Sequence, residues 1–115
     1  MELGTKYTNI EDVVSLLETH LGITFTKVED GETGVSYDWS EEPNEFGASY
    51  YGIEILPTRI FDPEKNRVVL CQKNWKPYTF VVGVSEELKS HSAAIRELMK
   101  RGLLKATEIP LPPIT

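Results

Sequence analysis

Across residues 28–58 the chain has no lysine and no arginine. A stretch of that length cannot neutralise its own acids from within, which argues against it as a surface for nucleic-acid phosphates or an anionic membrane. Cysteine is nearly absent as well. The single thiol, Cys71, excludes an internal disulfide and fits a reducing, cytoplasmic setting. No apolar run approaches the roughly 18 residues of a membrane helix, and the N-terminal residues lack the apolar core of a signal peptide, so no membrane partner is expected. There is no phosphate-cradling glycine loop, no G-x-S-x-G and no dinucleotide fingerprint, and nothing points to a cofactor.

Metal ligation fares no better. Asp38, Ser40, Glu42 and Asn44 alternate like the opening of a calcium loop, but Pro43 stands where that loop needs glycine and Ser49 where it needs a bidentate glutamate. One cysteine and two distant histidines, His20 and His91, offer no zinc spacing. Cys71 lies in an apolar, strand-like run and reads as a small buried hydrophobe rather than a nucleophile.

What the cation-free stretch does contain is eight carboxylates and five aromatic side chains, Tyr37, Trp39, Phe46, Tyr50 and Tyr51. Residues 59–105 then hold ten of the twelve basic residues against five acidic ones. The whole, at 115 residues and a formal charge of -6, is large enough for one core without staples. Residues 1–106 read as a single domain and 107–115, with Ile-Pro-Leu-Pro-Pro, as a proline-rich extended tail.

Residues 1–7 look like a lead-in. Thr8 or Asn9 can cap a helix over about 9–21, whose Ile10, Val13, Val14, Leu17 and Leu21 form one apolar face before Gly22 stops it. Residues 23–28 and 35–39 suggest a hairpin, and a third strand over 49–56 ends at Pro57. The runs 68–70 and 80–82, apolar on successive residues, predict central strands covered on both faces. Ser85 looks like the cap of a second helix carrying Leu88, Ile95, Leu98 and Met99 and ending at Gly102. Helix, about five strands, helix, with short connections between strands, predicts an α+β fold: a mostly antiparallel sheet with an N-terminal and a C-terminal helix packed against it.

For function, the composition favours a small protein-binding domain, an inhibitor or immunity-type protein that docks an acidic, aromatic face onto a basic partner such as a toxin nuclease. Carboxylates would steer and orient, and aromatic rings would supply buried area. The candidate contacts are Asp38, Trp39, Glu41, Glu42, Glu45, Phe46 and Tyr50. Three other readings stand beside it. Lys73, Trp75, Lys76 and Tyr78 with Lys100 and Arg101 could bind single-stranded nucleic acid by stacking and phosphate contacts. Asp38 and Glu54, on strands and able to face one another, could form the carboxylate pair of a small hydrolase. The acidic half of one copy could also meet the basic half of another in a two-fold dimer.

Overall fold

The computed structural model describes residues 1–30, 34–41, 52–85, 88 and 90–107. Within them the fold is α+β, with strands β1 (Glu2–Thr5), β2 (Thr26–Asp30), β3 (Gly34–Ser40), β4 (Gly52–Pro57), β5 (Arg59–Asp62), β6 (Arg67–Leu70), β7 (Phe80–Val84) and β8 (Leu104–Ala106). Helix α1 (Ile10–Leu21) follows β1, and α2 (Ser92–Lys100) precedes β8. Six strands form one antiparallel sheet in the order β2-β3-β4-β7-β1-β8, while β5 and β6 make a separate hairpin.

The helices end as their sequences require. The Asn9 side chain accepts the Glu11 amide at 2.9 Å, so Asn9 rather than Thr8 caps α1, and Gly22 closes it in the left-handed conformation, φ 66°. Helix α2 finishes with paired bonds, Leu103 N–H to Leu98 O and Gly102 N–H to Met99 O, around Gly102 at φ 75°. Its start differs from the expected one. Ser85 does not cap it; the Ser85 hydroxyl instead accepts the Gly52 amide at 2.9 Å, tying β7 to the first residue of β4, and α2 begins at Ser92.

Register sorts the sheet into two faces. One row runs Lys27, Tyr37, Ile55, Val82, Leu3, Ala106 across all six strands. Its apolar members, with Ile53, Val84 and Leu104, close over Val13, Leu17 and Leu21 of α1 and Ile95 and Leu98 of α2 to form the core. The two helices are further tied at their ends, where Arg101 lies 3.0 Å from the His20 ring and the other ring nitrogen meets the Leu16 carbonyl.

Three expectations are corrected. Residues 1–7 are no lead-in: β1 is an interior strand between β7 and β8, and Leu3 is fully buried. Strand β7 is central and covered on both sides at Val81 and Val82, but β6 is not. It lies in the small hairpin, where Val68 is 63% exposed opposite an exposed Phe61, so an apolar run was not a reliable sign of two-sided burial there. Cys71, just past β6, is exposed rather than buried. The sheet therefore has six strands, and eight are present among the described residues, where about five were expected.

The second face of the sheet is covered only in part. The chain leaves β4 at Thr58, whose buried hydroxyl donates to the Tyr78 and Thr79 carbonyls and whose own carbonyl accepts the Cys71 amide. This brings Trp75 of the short 3-10 turn Lys73–Trp75 to Glu2 on this face, with Tyr78 over Gly4. A Cβ at Gly4 would run into the Tyr78 ring. Gly4→Ala is expected to cost about 1–3 kcal/mol in urea unfolding, as overpacking does, and pairing it with Tyr78→Ala is expected to remove that clash penalty.

Candidate functional site

The end of the second face that no described element covers carries one row of residues in register: Thr26, Asp38, Glu54, Gly83 and Glu2, from β2, β3, β4, β7 and β1. Three of the five are carboxylates. Asp38 and Glu54 stand directly opposite one another, the facing arrangement the sequence reading allowed for, and residues so placed have Cβ atoms about 4.5–5.5 Å apart. Like charges in that position oppose strand pairing. On the far side of Gly83, Glu2 is fixed by its neighbours. Its carboxylate accepts the Trp75 indole N–H at 2.9 Å and lies 3.5 Å from the Thr107 hydroxyl.

Gly83 makes this row a notch. It has no side chain, and a Cβ built there would have no atom within 4 Å. Glu54 and Glu2 flank it from strands two spacings apart, roughly 9–10 Å. The resulting groove has a volume of about 460 Å³ and includes Asp38, Ser40, Glu54, Glu2 and Ser85 in its wall, with no lysine or arginine. The Met1 amino group is also there, donating to the Val84 carbonyl at 2.7 Å.

A cation entering the notch meets carboxylates on both sides and offsets the repulsion between Asp38 and Glu54. Among the described residues no group of three or more His, Cys, Asp or Glu side chains is arranged to hold a metal ion. Acid–base chemistry by the same pair needs a carboxyl sheltered from water. Glu54 is exposed, and Asp38 and Glu2 are half-buried.

The candidate contacts named from sequence are not all together. Asp38 and Glu54 are in the groove, but Trp39, one residue on from Asp38, points to the opposite face. It packs against the core and meets the His91 ring edge-on at 5.1 Å between centroids. Neighbours along a strand present their side chains to opposite faces, so the Trp39 ring stands on the core side while the residue itself still borders the groove beside Asp38. Glu41 is exposed beyond the end of β3, and Glu42, Glu45, Phe46 and Tyr50 lie outside the described residues. Glu2 and Gly83 were missed. The only sequence sign of either was a glycine inside a strand pattern, which marks close approach or an open site without saying of what.

Two of the groups proposed for nucleic acid, Trp75 and Arg101, are engaged elsewhere, while Lys73, Lys76 and Lys100 are exposed. Trp75 is 6% exposed and hydrogen-bonded to Glu2, so it offers no stacking surface, and the Arg101 guanidinium is turned to His20. Cys71 shows the limits of its reactivity. Partial burial pushes its thiol up from the ordinary cysteine value, since the thiolate is disfavoured there. Alkylation by iodoacetamide near neutral pH is expected to run slower than for a free cysteine, with the deficit closing as pH rises past the shifted pKa.

No helix among the described residues is long and apolar enough to cross a membrane. In comparisons with known proteins, no family model, curated protein or solved structure matches the chain, and the site rests on its geometry alone.

Proposed function

We propose that this chain is a binding domain for a basic protein, an inhibitor or immunity-type partner that seats a lysine or arginine side chain of its target over Gly83. The observation that carries the reading is the gap in the carboxylate row, with Glu54 and Asp38 on one side and Glu2 on the other. Two features suit it to recognition. The Trp75 bond holds Glu2 in place before a ligand arrives, which lowers the ordering cost of binding. A wall with three carboxylates and no lysine or arginine, its one ammonium (Met1) bonded to the Val84 carbonyl, also favours encounter with a positively charged surface. A target that itself grips phosphate through a cationic groove, as a nuclease does, presents side chains of the required kind. Fluorescence anisotropy of a labelled tetra-arginine peptide, measured against the native chain and against Gly83→Val, tests the reading. Saturable, salt-sensitive binding that the substitution abolishes supports it, and peptide binding indifferent to the substitution sinks it.

A further inference from the structure

At the opposite corner of the same sheet face lies a groove of about 270 Å³ with the reverse chemistry. Lys6, one residue past β1, and Lys105, on β8 in register with Gly4, both line it, together with Thr8, Thr79 and the Tyr78 ring seated on Gly4. No acidic residue lines it. Among the described residues the one ion pair is Lys27 with Glu29, and neither Lys6 nor Lys105 is paired with a described carboxylate. Two ammonium groups facing one small groove repel each other, and an anion between them removes that repulsion.

We infer that this groove binds the phosphate group of a small phosphate monoester. Near neutral pH such a group carries close to two negative charges and several acceptor oxygens, matching two ammonium groups and the threonine hydroxyls beside them. The volume takes a phosphate with a few further atoms, and Tyr78, already packed on Gly4, is the single ring in its described wall, too little for successive bases to stack on, so a nucleic-acid strand is the disfavoured source of phosphate. The site is separate from the Gly83 notch and does not depend on it.

The experiment is an amide NMR titration of the full chain at pH 7.5 with phenyl phosphate, against sodium chloride at matched ionic strength and against a short oligothymidylate. Saturable shifts are expected at Lys6, Thr8, Thr79 and Lys105. Lys6→Gln and Lys105→Gln, exposed substitutions that leave the spectrum folded, are each expected to weaken binding about tenfold, as loss of one charged hydrogen bond does, with Lys105→Arg retaining most of it. The inference is overturned by shifts no larger than chloride produces, by saturable shifts that the double glutamine variant leaves intact, or by oligothymidylate binding the same residues more tightly than phenyl phosphate.

Discussion

Gly83→Val is expected to raise stability and to abolish capture of a basic peptide. A Cβ there meets no atom within 4 Å, and a β-branched residue suits a strand interior better than glycine, so urea unfolding is expected to show a gain of about 0.5–1 kcal/mol. The same side chain occupies the space between Glu54 and Glu2, and tetra-arginine affinity is expected to fall by at least about tenfold, the equivalent of one lost charge-assisted contact. Most substitutions that damage a binding site also loosen the fold. A variant that tightens the fold while emptying the site separates the two effects. Glu54→Gln supplies the complementary arm: it relieves the repulsion opposite Asp38, so stability is expected to hold or rise slightly while peptide binding weakens. If both variants bind the peptide as the native chain does, the notch is not where a cation sits.

The second large effect concerns Leu3. Its side chain is completely buried where β1 passes between β7 and β8, and it packs with Val82, Ile55 and both helices' inner residues. Leu3→Ala is expected to cost about 2–5 kcal/mol, the range for a leucine truncated in a tight core. Against the usual 5–15 kcal/mol of a whole domain, that places the variant near the edge of folding. Urea titration followed by tryptophan fluorescence measures it, since Trp75 is held against Glu2 of the same strand. A loss under about 1 kcal/mol would mean that β1 is dispensable, and that the covered centre of the sheet lies elsewhere.

The fold class could be read from local signals because each needed only its near neighbours. Asn9 and Gly22 punctuate α1, Gly102 ends α2, and the alternation of Tyr37 and Trp39 with Asp38 marks a strand with two unlike faces. The errors came where identity depends on distant partners. The segment Glu2–Thr5 is too short and too polar to announce itself as an interior strand, and becomes one only through Val82 and Ala106. Ser85 had the local features of a helix cap, but its hydroxyl had a stronger use holding Gly52. For the site, the excess of carboxylates was legible and their arrangement was not. Charge counting placed Asp38 with Trp39, its neighbour in sequence, whereas pairing places it with Glu54, Gly83 and Glu2, drawn from three other strands.

The position of β1 also bears on how the protein is made. Leu3 finds its sheet partners roughly eighty and a hundred residues downstream, so the centre of the sheet closes only through contacts of high sequence separation. The β2–β3–β4 meander can assemble on the nascent chain, but it waits with one edge open for β7, and β7 in turn waits for a strand made long before. Until that long-range pairing forms, the meander keeps an unpaired edge, the kind of surface that associates wrongly during folding.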